Sequence, residues 1–390
     1  MGNIVVKLPD GSDKELPSKS TGHDLAASIG AKLAKDSVAI VINGEQKDLN
    51  DTLPNKAEVS IITINSDEGL EIMRHTLTAQ VLALAVKNLY PETQLGIGPT
   101  IDDGFYYDFF LHKPISSDNL PKIEDEMNKI IKSRSTITKS YHTKKEALKI
   151  FDDLEENFKS EIIIDSGQKD EFQIYTQVET GFVDLCRGPH LPNLGMIGAF
   201  KLTKVAGAYW RGDSNKPMLT RIYGTAWNTK KDLDTYLNQL LEAEKRDHRK
   251  LGKEMKLFHF QDEAPGMVFW HPSGWTIYSE LQNYVRKMQR NADYKEINTP
   301  QVVDRKLWEK SGHWDKYREN MFITEIDEDH ANEKRVNALK PMNCPCHVQV
   351  YNQDIKSYRD LPYRLAEFGS CHRYEPSGTM HGLMRVRGFT

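Results

Sequence analysis

Apolar and polar positions change period several times along the 390 residues, and each change marks a new element. Ile4, Val6 and Leu8 alternate with polar neighbours, the period of a half-buried strand, and Asp10-Gly11 follows as a tight turn. Leu25, Ile29 and Leu33 recur at i, i+4 and i+8, which predicts one face of a helix. Residues 38–42 form an apolar run that ends at the turn pair Asn43-Gly44, and residues 59–64 form another. Strands around one helix in about 60 residues predict a β-grasp, ubiquitin-like unit over 1–64, an architecture that says little about chemistry by itself.

After the polar stretch 65–69 the pattern changes. Leu70, Met73, Leu77, Val81, Leu82, Leu84, Val86 and Leu89 leave no polar face, so residues 70–90 read as a buried helix. Glycine-rich loop and strand follow through Gly104-Phe105-Tyr106-Tyr107-Asp108. Residues 118–165 are charged and mostly helical in pattern, and 172–227 alternate between strands and turns. Residues 230–257 read as one long charged helix with Leu233, Leu237 and Leu240 on one side and the basic run 245–250 near its end. Ile277, Leu281, Tyr284, Val285 and Met288 give a further amphipathic helix, and an extended segment reaches Pro300. The last 50 residues are dense in Cys, His, Arg and aromatics.

Composition narrows the class. An apolar share of 38% with 14 Phe, 16 Tyr and 6 Trp is enough for real cores, which excludes wholesale disorder. No apolar run approaches the roughly 18 residues that a membrane span needs, and the N-terminus lacks a secretory pattern. Four cysteines are no disulfide framework; they fit a reducing, cytoplasmic setting and invite a metal or catalytic role. A net charge of -4 argues against bulk coating of nucleic acid and leaves room for local basic patches.

The C-terminal motifs carry a resemblance. His372-Arg373-Tyr374-Glu375 followed by Arg385-Val386-Arg387-Gly388-Phe389 resembles motif 2 of class II aminoacyl-tRNA synthetases, and the helix 277–291 leading to Pro300 resembles their motif 1. Lys340-Pro341-Met342-Asn343-Cys344-Pro345, Gly207-Ala208-Tyr209-Trp210-Arg211-Gly212 and Gly266-Met267-Val268-Phe269-Trp270-His271 narrow the resemblance to threonyl-tRNA synthetases. It covers the chain from about residue 3 to Thr390.

The resemblance implies ATP-dependent activation of threonine and its transfer to tRNA(Thr), with ATP and Mg2+ in the reaction, a cytoplasmic setting and a homodimer built on the class II core. Attack of a carboxylate on a phosphate brings two anions together, so the site needs fixed positive charge, and a planar guanidinium suits both. Arg373 matches that role, with Glu375 two residues on in a strand as acceptor for the adenine amino group. Arg385 lies across the motif loop, and Phe389 matches the residue that stacks on adenine. Cys344 matches a zinc ligand. Such a zinc recognises the hydroxyl of threonine, which shape alone separates poorly from valine. The two histidines that complete the family's zinc site would lie beyond Thr390, so zinc is expected to bind these residues poorly.

Serine passes a hydroxyl test, and the family hydrolyses mischarged seryl-tRNA at a second site. Its pocket pairs His-x-x-x-His with Cys-x-x-x-His. The second pair is present as Cys186 and His190, with Asp184 just before, and Tyr107 is a further candidate for the lining. The first pair is broken: His75 stands, the helix has gained a residue, and Ala79 or Gln80 replaces the second histidine. A neutral amide cannot accept a proton as imidazole does, so weak editing is expected. The basic run 245–250 is a candidate for tRNA phosphates, with a solvated helix face as the alternative.

The predicted organisation is α+β and multidomain. It comprises a β-grasp TGS domain over 1–64, an α/β editing domain over 65–227 and a linker helix over 228–257. The opening of an antiparallel-sheet class II domain, with motifs 1 and 2 only, fills 258–390. The chain is expected to be a segment of a longer protein and not to aminoacylate alone. Two other readings stay open, a freestanding seryl-tRNA hydrolase and a catalytically inactive tRNA-binding or regulatory protein.

Overall fold

Asp10 and Gly11, the latter at φ +83°, turn strand β1 (Asn3–Lys7) back onto β2 (Asp13–Pro17) in the computed structural model, which describes residues 2–113, 115–326 and 335–390. The predicted first helix is two. α1 (Gly22–Ile29), opened by a reciprocal Thr21–Asp24 cap, is separated from α2 (Ala31–Asp36) by Gly30 in an extended conformation. Leu25 alone of the three periodic residues is fully buried, and Ile29 is 45% exposed. β3 (Ser37–Ile42) reverses through Asn43-Gly44, both at positive φ as a two-residue hairpin of this kind requires, into β4 (Glu45–Asp48). β5 (Val59–Thr63) pairs with the other side of β3, and a single parallel bridge from Lys7 to Glu58 joins β1 to it. Val6, Leu16, Leu25, Ile40 and Val59 fill the core of this β-grasp domain.

The apolar segment that follows is buried on all sides, as its pattern predicts, but it is not one α-helix. α3 (Asp67–Thr76), capped by Ser66, runs into a π-helical stretch Leu77–Leu82 and then α4 (Ala83–Leu89). Met73, Leu77, Val81 and Val86 share one core with Val38 and Ile62 of the β-grasp domain and with Phe105, Tyr107 and Ile222 of the next sheet. That sheet is antiparallel in the order β12 (Ala199–Tyr209), β13 (Met218–Trp227), β8 (Gly104–Phe110), β6 (Gln94–Leu95), with β7 (Thr100–Ile101) also on β8. α5 (Leu120–Lys132) packs against it through Ile123 and Met127. A second antiparallel sheet orders β11 (Val183–Leu185), β10 (Phe172–Gln177) and β9 (Ile137–His142). α6 (Lys144–Asp153) and α7 (Asn157–Asp165) supply Phe151 and Ile163 to its core.

The chain divides into two compact units, Met1–Asn238 and Gln239–Thr390. The predicted long helix 230–257 is also two helices. α8 (Lys230–Lys245) ends before Asp247, whose carboxylate caps α9 (His248–Glu254).

The second unit starts with the antiparallel pair β14 (Phe258–His259) and β15 (Phe269–Trp270), followed by α10 (Pro272–Asn291). β17 (Val302–Asp304), α11 (Arg305–Lys310), α12 (His313–Tyr317), β18 (Ile323–Ile326) and β19 (Arg335–Leu339) enclose a small core of Trp308, Trp314, Met321 and Ala338. β19 lies between β17 and β18, antiparallel to both. α13 (Cys344–Tyr351) follows. β16 (Lys295–Glu296) pairs parallel with β20 (Leu365–Ala366), and β21 (Cys371–His372) pairs antiparallel with β22 (Gly388–Phe389). The apolar stripe predicted on α10 is present and exposed: Leu281 and Tyr284 are each 62% accessible.

Candidate functional site

The first unit holds a cavity of about 640 Å3 at the junction of the buried helix, β8, α7 and the loop after β11. His75 and Ala79 line it from the helix, Tyr107 from β8, Lys159 from α7, and Asp184 and Cys186 from the strand and loop that follow β10. Local sequence explains how these side chains converge. Tyr107 projects from a strand whose neighbours Phe105 and Phe109 are buried, so that face is held by the core. Gly98 lets the loop after β6 pass over Tyr107, because a Cβ there would lie 2.1 Å from the ring.

Of the two candidates on the helix, Ala79 and not Gln80 faces the cavity. Ala79 lines the cavity, whereas Gln80 is fully buried and faces Gln177, whose Nε2 donates to the Gln80 carbonyl at 2.6 Å and to its Oε1 at 3.4 Å. Gln80 is therefore corrected from a pocket residue to a core residue. A π turn holds an extra residue relative to an α turn, and it sits at 77–82, within the helix where the resemblance implies an added residue.

His75, Cys186 and His190 come together as the motifs predict. His75 Nε2 lies 2.8 Å from Cys186 Sγ, and the His75 and His190 rings stack 4.7 Å apart within 4° of parallel. Burial holds His75 below its ordinary value, so its imidazole is neutral near pH 7. The tautomer of His190 follows from its neighbours. Thr76 Oγ1 donates its one hydrogen to the Ile72 carbonyl at 2.8 Å. Its remaining capacity is for accepting, and it takes the Leu191 N–H at 2.9 Å and His190 Nδ1–H at 3.2 Å. In the neutral ring the lone pair is then on Nε2, which is buried and has no hydrogen-bond partner among the described residues.

Behind them a buried ionic group spans the pocket wall. Lys159 Nζ lies 2.6 Å from Asp184 Oδ1, with both side chains nearly inaccessible. Burial pushes the Asp184 carboxyl up, and Lys159, the Leu185 N–H at 2.8 Å and the Tyr107 hydroxyl at 3.4 Å pull it back. Burial and the neighbouring Asp184 charge also push the Tyr107 phenol well up, so it remains a neutral donor. Lys159 and Thr76 were not among the sequence candidates. Neither carries a motif, and each is recognisable only by what it contacts.

Donor atoms of His75, Cys186 and His190 all lie within 4.8 Å of one another, a nitrogen and sulfur set of the kind zinc takes. The 2.8 Å between His75 Nε2 and Cys186 Sγ is a hydrogen-bond length, shorter than the roughly 3.5 Å that separates two tetrahedral zinc ligands. His75 and Cys186 are hydrogen-bonded, and the His190 ring stacks on His75.

The second unit brings the motif 2 residues together only in part. The Arg373 guanidinium sits 5.0 Å from the centre of the Phe389 ring. Arg385 donates to Glu375 Oε2 at 2.8 Å, and Arg387 Nε donates to the Glu375 carbonyl at 2.8 Å. The predicted strand through Glu375 is not there: β21 ends at His372, and Glu375 N–H turns back to the Arg373 carbonyl. Cys344, expected as a metal ligand, is exposed at the start of α13. His347 is engaged by Glu367 at 2.9 Å, and Cys344 belongs to no cluster of three potential ligands among the described residues. The residues present do not fit a zinc site there. Glu367 instead organises this floor. It accepts from Thr299 N–H at 2.6 Å and from fully buried Lys340 at 3.0 Å, and these donors with His347 outweigh burial and hold its carboxyl below the usual range. The basic run is partly neutralised, since Lys245 and Arg246 pair with Glu242 and Arg249 pairs with Asp247.

Comparison with known proteins covers both units. Residues 4–63 match the TGS domain, 173–223 the second additional domain of threonyl and alanyl tRNA synthetases, and 322–390 the tRNA synthetase class II core domain (G, H, P, S and T). The threonine–tRNA ligase of Hahella chejuensis is 54% identical over 386 residues, and that of Marinobacter nauticus is 53% identical over the same length. Each alignment takes in 99% of this chain and 59% of the relative. Among solved structures, the RNA binding domain of threonyl-tRNA synthetase from Cryptosporidium parvum is 43% identical over 37% of this chain and 35% of that one, with a TM-score of 0.35. No described helix is long and apolar enough to cross a membrane. The chain is similar to threonine–tRNA ligases over nearly all its residues, and it spans about three fifths of the length of the relatives it matches.

Proposed function

We propose that the cavity of the first unit hydrolyses the ester of tRNA carrying serine, as the proofreading site of a threonine–tRNA ligase. The observation that carries this reading is the convergence of His75 and Cys186 beside Lys159 and Asp184 at one cavity, with the His190 ring stacked behind His75. In ester hydrolysis a water oxygen bonds to the carbonyl carbon, the bond to the ribose oxygen breaks, and the proton taken from water passes to that ribose oxygen. A neutral imidazole at the cavity accepts that proton near pH 7, and the Lys159 ammonium opposes the negative charge that develops on the carbonyl oxygen. With Ala79 in place of a second helix imidazole, proton transfer rests on His75 and His190. The test is release of serine from seryl-tRNA(Thr) by the 390-residue chain, beside threonyl-tRNA(Thr). Serine release that falls about 10²–10⁴-fold in His190→Ala is expected. No release above the uncatalysed rate would refute the reading.

The second unit supplies part of an activating site. In the whole protein, Arg373 would meet the phosphate of ATP, Glu375 and Phe389 the adenine, and Mg2+ the phosphates, with threonine and tRNA(Thr) as the other substrates. The 5.0 Å approach of Arg373 to Phe389 supports placing a phosphate and a base side by side. The exposed stripe on α10 supports a second copy of the chain as partner. The remaining expected assignments, domain boundaries and a cytoplasmic setting, stand as parts of the same proposal.

A further inference from the structure

The turn that carries Cys186 and His190 is not held by its own domain alone. Asp48, the last residue of β4 in the β-grasp domain, accepts the backbone N–H of His190 on Oδ1 at 2.9 Å. Its other oxygen accepts from the Tyr175 hydroxyl at 2.8 Å and pairs with Lys139 Nζ at 2.8 Å, and Lys139 also reaches Asp51 at 2.6 Å. Tyr175 in turn sets its ring edge against the His190 imidazole, with centroids 4.4 Å apart. Its hydroxyl occupies the space beside Gly188, where a Cβ would lie 1.8 Å away, and Gly188 has φ +62°. The Cys186–His190 turn is thus closed over Tyr175, and Asp48 ties both Tyr175 and His190 down from outside.

These contacts divide the placement of His190 in two. Thr76 orients the ring through Nδ1, and Asp48 fixes the main chain from which the ring projects. We propose that Asp48 is a positioning residue of the hydrolytic pocket, through which the β-grasp domain sets where the His190 imidazole and the Cys186 thiol lie. The proposal rests on the hydrolytic reading given above. Catalytic groups lose rate steeply with displacement, and about 1 Å costs up to roughly 10²-fold. Asp48 touches no reacting atom, so its loss acts on turnover and not on substrate affinity.

The test uses the 390-residue chain with Asp48→Ala, Asp48→Asn and Lys139→Gln. Two quantities are measured: hydrogen exchange at the His190 amide by mass spectrometry, and kcat and KM for seryl-tRNA(Thr) hydrolysis. Asp48→Ala is expected to speed amide exchange about tenfold or more and to lower kcat about 10–100-fold, with KM within about twofold. Asp48→Asn keeps an acceptor oxygen and is expected to restore most of both. Lys139→Gln leaves the Asp48–His190 bond in place, so amide protection and kcat stay within about threefold of the unaltered chain. Unchanged exchange in Asp48→Ala overturns the proposal, as does faster exchange with unchanged kcat. Equal losses in Lys139→Gln and Asp48→Ala overturn it too, because general domain docking would then explain both. If the unaltered chain does not hydrolyse seryl-tRNA, the reading of the pocket falls, and the link of Asp48 to turnover with it. The exchange ratio then still decides whether Asp48 holds the turn.

Discussion

His75 shows how burial turns an ordinary side chain into a usable base. Its depressed value means that the folded state resists the proton that an unfolded chain takes up near pH 6.5. The sign follows by linkage. Below about pH 6.5 the unfolded state binds more protons, so the stability of the first unit falls with pH until the folded-state value is reached, by at most about 1.4 kcal/mol per pH unit. His75→Gln should flatten this loss between pH 7.5 and 5.5, as followed by denaturant unfolding of the first unit. Equal acid sensitivity in the variant would show that His75 is not the group responsible. His372, also lowered by burial, acts with the same sign in the second unit and is unaffected by that substitution.

The π-helical stretch decides which residue of the buried helix reaches the pocket. Ala79→His is expected to place an imidazole in the cavity and raise seryl-tRNA hydrolysis, by about tenfold or more if it joins proton transfer. Gln80→His puts a ring into the Gln177 contact and is expected to lower stability by about 1–3 kcal/mol with no gain in rate. Paired deacylation and melting measurements distinguish the two positions, and a gain confined to Gln80→His would reverse the assignment. The sequence reached this point and no further. Cys186 and His190 are legible because their spacing matches a motif within one turn of chain, and the extra residue in the helix is what the resemblance implies. Whether Ala79 or Gln80 faced the pocket depended on where the helix absorbs that residue, a matter of packing on both sides of it. Asp48 was not legible at all, since its contact spans 142 residues and its own surroundings read as an ordinary strand end. The break at Asp247 failed for a related reason. Periodic leucines predict a continuous helix, and the carboxylate that starts a new one is a single local competitor.

At the scale of the whole molecule, the exposed face of α10 departs from a satisfied surface. Ile277, Leu281, Tyr284 and Met288 recur every three to four residues and are all exposed. Self-association through this face predicts a dimer in light scattering at micromolar concentration, and Leu281→Asp with Tyr284→Arg should give a monomer. A monomer before substitution would argue against that partner. The buried helix has a different consequence for the molecule. Its two ends sit against different elements of one core, α3 on β5 and β13 and α4 on α5, so one residue added in an α-helix would turn everything beyond it by about 100° and advance it about 1.5 Å. The stretch at Leu77–Leu82 behaves like an expansion joint. One residue can be deleted there and the helix can close to regular α geometry with both ends still seated, whereas the same deletion in α3 or α4 would pull that end out of register with the elements it packs against. Within this buried helix, tolerance to a change in chain length is therefore concentrated in the π-helical stretch beside the pocket.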